Sequence, residues 1–214
     1  MNSLPLALAI IALTGAGTAV AQDLKPVTLP APKTDGGMPL MQAIAARHST
    51  REFSTKQLPL QELSNLLWAA DGINRRESGK RTAPSAMNWQ ETDVYVLMAE
   101  GAYVYDPAAN ELKPVAGKDL RPLAGTQEFV GTAPLNLVYV IDRGKMSRAG
   151  EDDKRLYGAA DVGFIAENVY LYCASEGLVA VVRGSVDRQK LGAALNLRPD
   201  QSIILAQTVG YPAK

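Results

Sequence analysis

Leu135-Asn136-Leu137-Val138-Tyr139-Val140-Ile141 is the stretch on which the fold turns. Asn136 alone interrupts an apolar run rich in β-branched and aromatic residues, the pattern of a central strand buried on both faces. Such a strand needs covering layers on either side of it. The flanking sequence offers them. Thr92–Ala99 and Tyr103–Tyr105, split by Glu100-Gly101, read as a strand pair joined by a tight turn. Val179–Val182 and Ile203–Val209 are further strands, with a short helix near Asp187–Leu195 between them. The longest helical candidate spans Gly158–Glu176, where Val162, Ile165, Ala166, Val169 and Cys173 recur at three- and four-residue steps and Gly177 follows as a cap. Upstream, Leu40, Met41, Ile44 and Ala45 share one helical face that stops near Arg47. A second helix starts around Pro59, carries Leu60, Leu63, Leu66, Leu67 and Ala70 as its stripe, and ends at Gly72. Helices flanking a mixed central sheet make this an α+β chain with one domain, residues 38–214.

The rest of the chain bounds its chemistry by what it lacks. Residues 22–37 hold three prolines and adjacent glycines and read as an extended lead-in. Before them, residues 1–21 carry no charged side chain, run apolar from Leu4 to Leu13 and end in Ala19-Val20-Ala21. That is the small-x-small pattern of a cleaved signal peptide, and it places the mature protein outside the cytoplasm, in the periplasm or beyond. Retention of the segment as an anchor is the competing reading. The 22 basic residues match 22 acidic ones, which argues against a general nucleic-acid partner. With one histidine, His48, and one cysteine, Cys173, a zinc site or a Cys-His nucleophile has little footing. Cys173 reads as a small apolar core residue. No G-x-S-x-G elbow, phosphate loop or G-x-G-x-x-G occurs. Chemistry carried by a bound organic cofactor is what remains.

Three stretches carry the polar groups such a cofactor needs. In Arg47-His48-Ser49-Thr50-Arg51-Glu52-Phe53, the side chains of Arg47, Ser49 and Arg51 point the same way if the segment is extended. Two guanidinium forks and a hydroxyl on one side suit a phosphate or carboxylate; the bland alternative is a solvated loop. Arg81 to Gln90 (RTAPSAMNWQ) offers Ser85 and Asn88 as short hydrogen-bonding groups beside Pro84, or else simply a helix cap. Val182-Arg183-Gly184-Ser185 follows a strand, and Gly184 permits close approach of the backbone to a ligand, although a plain turn reads the same way.

Taken in series, these stretches resemble the FMN-dependent nitroreductase family. Arg47 to Phe53 is similar to that family's R-x-S-x-[RK]-x-F opening, and Ala83 to Gln90 to its A-P-S-x-x-N-x-Q segment. Asp161-Val162-Gly163 through Glu176-Gly177-Leu178 is similar to its long dimer-forming helix, and Gly210-Tyr211-Pro212 to its closing G-Y-P. The resemblance implies an intertwined homodimer with two FMN molecules at its interface. It assigns the phosphate and ribityl chain to Arg47, Ser49 and Arg51, with His48 contributing mainly backbone. Pro84, Ser85 and Asn88 would reach the same flavin from the partner subunit, and the amides of Arg183 and Gly184 would face the ring edge. Family members often add basic residues after G-Y-P; here only Lys214 is available. The short polar segment 143–157 stands where relatives often carry extra pocket-shaping helices, which leaves the substrate open.

The function so implied is that of an exported oxidoreductase passing electrons through flavin N5 to a small acceptor, nitroaromatic or quinone, by ping-pong kinetics. NAD(P)H is a possible donor, and no metal is needed. An azoline-oxidase-like enzyme of the same fold and a non-catalytic exported flavin carrier are the alternatives.

Overall fold

The structure is a computed structural model describing residues 24–213. Residues 1–23, with the expected signal peptide, and Lys214 lie outside the described part. A seven-stranded sheet in the order β1-β6-β5-β4-β7-β9-β8 forms its centre. Its strands are β1 (Val27–Thr28), β4 (Thr92–Met98), β5 (Gly101–Asp106), β6 (Glu111–Ala116), β7 (Leu135–Asp142), β8 (Val179–Arg183) and β9 (Gln201–Gly210). A separate hairpin joins β2 (Ile73–Arg75) to β3 (Lys80–Arg81). The helices are α1 (Leu40–Ala46), α2 (Leu60–Asp71), α3 (Phe129–Thr132), α4 (Glu151–Glu176) and α5 (Arg188–Ala194).

The fold is α+β as expected, but every pairing between named strands of the sheet is antiparallel. The parallel component expected of a mixed sheet shrinks to one isolated bridge, Ser49 to Ala180. The reason is local connectivity: β4-β5-β6 form a meander, and β9 returns between β7 and β8, so no pair of adjacent strands needs a parallel crossover.

All eight residues of β7 are buried. Leu135, Leu137, Tyr139 and Ile141 face one core with α2 and α4, while Val138 and Val140 face a second core that includes Leu191 of α5 and Val130 of α3. Alternation along a central strand thus feeds both layers. Gly177 closes α4 in the left-handed conformation (φ 69°), and Leu178 N–H donates to the Cys173 carbonyl at 2.9 Å.

The helix α4 begins at Glu151, a full seven residues before Gly158, so half of the segment 143–157 belongs to it. Its first turn carries Glu151, Asp152 and Asp153, which favour the positive end of the helix dipole. The lead-in also takes part in the sheet: Val27 and Thr28 pair with Leu112 and Glu111, and Leu29 is buried. Among the described residues, no helix is long and apolar enough to cross a membrane.

Candidate functional site

Arg47 ends α1, with its N–H still bonded to the Ala43 carbonyl, and the chain then runs extended across the end of the sheet. Ser49 bridges Ala180 of β8, Thr50 N–H donates to the Ala180 carbonyl at 3.1 Å, and Phe53 bridges Pro212. That pairing anchors the segment at Ser49 and Phe53. Arg47 and Ser49 meet at one residue of α4, Tyr170. The Arg47 guanidinium lies 5.3 Å from the Tyr170 ring centre, and the Ser49 and Tyr170 hydroxyls are 2.8 Å apart. Tyr170 also accepts the Val182 N–H at 2.8 Å, so the buried phenol ties the segment to the end of β8. Arg47 is 3.8 Å from Glu167, and Arg51 is exposed with no ion-pair partner among the described residues. His48 is exposed, and its Nδ1 donates to the Ala46 carbonyl at 2.9 Å.

The second group sits elsewhere. Pro84, Ser85 and Asn88 line an open cleft of about 660 Å³ with Arg75, Lys80 and Arg81. Pro84 and Asn88 are exposed and Ser85 is half-buried. Gln90 knits this loop together: its N–H donates to Ser85 Oγ at 2.8 Å, its amide donates to Asn88 Oδ1 at 3.2 Å and to the Gly79 carbonyl at 3.1 Å, and it accepts from Arg81 Nε at 3.0 Å. Below the loop, Ala86 N–H donates to Asp161 of α4 at 2.8 Å.

The side chain of Arg183 turns inward. It is 5% exposed and points into the second core, where it donates to the Ala124 carbonyl (2.6 Å), Asn136 Oδ1 (2.8 Å) and Thr208 Oγ1 (2.7 Å). Successive residues of a strand face opposite sides, so while Ala180 and Val182 look toward α4, Arg183 looks away from it. Only its backbone remains to meet a ligand. No carboxylate is among its partners, and burial pulls its pKa down to about 10, so it stays charged at neutral pH. Asn136, the lone polar residue of the β7 run, is the hub of this network, accepting also from Thr208 Oγ1 at 2.6 Å. Gly184 follows in an exposed loop before α5.

Cys173 is buried on α4, and burial pushes its thiol well above the ordinary range. Trp68 is half-buried at the end of α2 rather than deep in the core, and Tyr211 donates to Glu62 at 2.5 Å, a packing role. Trp89 packs edge-on against Tyr157 at 6.1 Å. The acids under the loop, Glu91 and Asp161, were not singled out from the sequence as site residues. Asp161 carried one signal there, a carboxylate among the small and apolar residues 159–163; Glu91, between Gln90 and Thr92, carried none.

A motif model described as the nitroreductase family matches residues 44–211. A nitroreductase homologue from Methanocaldococcus jannaschii is 30% identical over 169 residues, which is 74% of this chain and 85% of that protein. The crystal structure of a nitroreductase homologue from Ralstonia eutropha superposes with a TM-score of 0.86 at 46% identity, covering 92% of this chain and 93% of that one. An NADPH:FMN oxidoreductase from Vibrio harveyi, in complex with NAD+, shares the fold at a TM-score of 0.62 and 20% identity, covering 82% of this chain and 69% of that one. The chain belongs to the nitroreductase family.

Proposed function

We propose that this nitroreductase-family oxidoreductase binds FMN between two copies of the chain, acts outside the cytoplasm, and reduces a small nitroaromatic or quinone-type acceptor. The observation that carries this reading is the arrangement around α4. Asp161, beneath the Pro84–Gln90 loop, and Tyr170, beneath Ser49, are nine residues apart on that helix. Nine residues are about two and a half turns and about 13 Å of rise, which puts the two contacts on opposite sides of the helix. One protomer therefore keeps its arginine segment and its Ser85–Asn88 loop apart.

Between those two sides α4 carries an exposed strip containing Leu156 (63% exposed), Tyr157 (41%) and Phe164 (48%), with Ala160 and Gly163 allowing close approach. A two-fold contact along that strip sets the loop of one copy against the arginine segment of the other. The exposed Leu40, Met41 and Ile44 of α1 extend the same demand for a covering partner.

The residues present fit FMN. A dianionic phosphate needs charge-assisted donors, and Arg51 is exposed and uncommitted among the described residues while Arg47 holds Glu167 only at 3.8 Å. Arg47 and Arg51 hold the phosphate, and Ser49, fixed by Tyr170, meets the ribityl chain. Backbone N–H groups at Arg183 and Gly184 orient the ring edge, and Pro84, Ser85 and Asn88 of the second copy cover it. Bound FMN would supply the hydride and electron transfer, through N5, so no protein nucleophile is required. Donor and acceptor taking turns at one such site would give ping-pong kinetics. NAD(P)H is one candidate donor; outside the cytoplasm, to which residues 1–21 direct the chain in this reading, it is scarce.

The test is an absorption spectrum of the purified mature protein followed by anaerobic addition of NADH and NADPH. Retained flavin absorbance that bleaches with a reductant and returns with a nitroarene or quinone is expected. A colourless protein that refuses micromolar FMN sinks the reading.

A further inference from the structure

Three non-glycine residues within four positions, Met87 (φ 51°), Asn88 (φ 55°) and Gln90 (φ 49°), adopt the left-handed backbone conformation. Side chains resist that region, and it persists only where the surroundings enforce it. The enforcing contacts lie underneath. Ala86 N–H donates to Asp161 Oδ2 at 2.8 Å, and Ser85 Oγ donates to Glu91 Oε2 at 3.2 Å while accepting the Gln90 N–H at 2.8 Å. Both acids are buried, Glu91 at 0% and Asp161 at 4% exposure.

The pair is not satisfied as two carboxylates. Glu91 Oε1 is buried without a hydrogen-bond partner among the described residues, and the two carboxyls are brought together under the loop by adjacent residues, Glu91 accepting from Ser85 and Asp161 from Ala86. A buried carboxyl beside a second carboxyl resists giving up its proton, and a proton kept on Glu91 supplies the missing donor. We propose that Glu91 and Asp161 form a one-proton latch that holds the strained Pro84–Gln90 loop in the shape Ser85 and Asn88 need, making both acids positioning residues. The role toward flavin rests on the reading of Ser85 and Asn88 given above; the latch itself does not.

Burial first, and then the Asp161 carboxyl, push Glu91 up to about 7. The other charged groups around it are committed elsewhere: Asp71, at the end of α2, pairs with Arg81 at 3.4 Å, and Asp93, on β4, pairs with Lys145 at 2.7 Å. Neither Arg81 nor Lys145 is recorded in a hydrogen bond or ion pair with Glu91 among the described residues. The latch is closed below about pH 7 and opens as the Glu91 proton leaves, with a limiting dependence of about one decade per pH unit.

The experiment compares the wild type with Glu91→Gln and Glu91→Ala, in flavin-free protein and with added FMN. Amide-exchange protection factors at Ala86 and Gln90, together with FMN dissociation constants, are measured between pH 5.5 and 9. In the wild type, protection should fall and FMN should weaken together above pH 7. Glu91→Gln keeps both at their low-pH values throughout, because its amide replaces that proton. Glu91→Ala loses protection at every pH; should it fail to fold, the Glu91→Gln comparison still decides. Wild-type protection that is independent of pH, or matched by Glu91→Ala, overturns the latch. The expected exchange pattern in a protein that refuses FMN removes the flavin reading and leaves the latch standing.

Discussion

Arg51 and Arg183 stand in neighbouring motifs of the site, and their surroundings give them different work. Arg51 is exposed and bonded to nothing among the described residues, so its removal should hardly touch the fold. A charge-assisted contact to phosphate is worth about 1.5–3 kcal/mol, so Arg51→Ala should weaken FMN binding by about 10- to 100-fold. The melting transition of the flavin-free protein should move by no more than about 0.5 kcal/mol equivalent. Fluorescence titration with FMN checks the first number and thermal unfolding the second; equal losses in both would make Arg51 structural. Arg183 is the reverse case. Arg183→Met leaves the Ala124 carbonyl and Asn136 and Thr208 short of a donor, though it also relieves a buried charge without a counter-ion. A net loss of about 2 kcal/mol is expected in denaturant unfolding, with a smaller effect on FMN affinity than Arg51→Ala. The meeting of Arg47 and Ser49 at Tyr170 follows from alternation in an extended segment, a pattern visible in the sequence. The direction of Arg183 was not visible there, because it depends on which face of β8 meets α4.

Among the elements, legibility followed pattern strength. The run at β7 and the period of α4 from Gly158 onward were readable because burial demands apolar side chains at those spacings. The strand β6 was not, since Pro114 cannot donate to a ladder. It is tolerated there because β1 pairs only with Glu111 and Leu112, leaving position 114 on a free edge. The first two turns of α4, EDDKRLY, escaped because solvent-facing charge has no apolar period. Periodicity also says which residues share a face but not what covers it: Leu40, Met41 and Ile44 of α1 were read as sharing one helical face and stand 62%, 74% and 47% exposed. The strip on α4 makes the same point testable. Phe164→Glu replaces an apolar contact worth about 1.5–3 kcal/mol when buried with a charge, and a two-fold interface meets it twice. Light scattering should show a dimer in the wild type and a shift toward monomer in Phe164→Glu. FMN affinity should fall with it if, as proposed, each site draws on both copies. A variant that remains dimeric with unchanged affinity would place the interface elsewhere.

For the molecule as a whole, the unusual quantity is how many carboxyls it buries without full compensation. Asp71 and Glu91 are both raised to about 7, in each case by burial first; for Asp71 the opposing attraction of Arg81, at 3.4 Å, is too weak to win. An acid whose folded pKa lies above its unfolded value is protonated in the native state while the unfolded chain has already released its proton. Stability therefore falls as pH rises from the unfolded pKa, near 4, to the folded one, near 7, and is level beyond that, at a limiting slope of roughly 1.4 kcal/mol per pH unit for each group. Asp106, Glu151 and Asp187 act in the opposite sense, held low by a hydrogen bond from Lys113, a hydrogen bond from Lys154 and the Lys190 backbone N–H respectively. Their contribution is lost only as pH drops below about 4, where the raised acids no longer change. The two sets together place the stability maximum of the flavin-free protein on the acid side, near pH 4, and urea midpoints should decline from there to pH 7.5. Glu91→Gln removes one of the two raised acids and should flatten that decline by about half; a midpoint that instead climbs between pH 5 and 7.5 would mean that Asp71 and Glu91 are already ionised in the native protein.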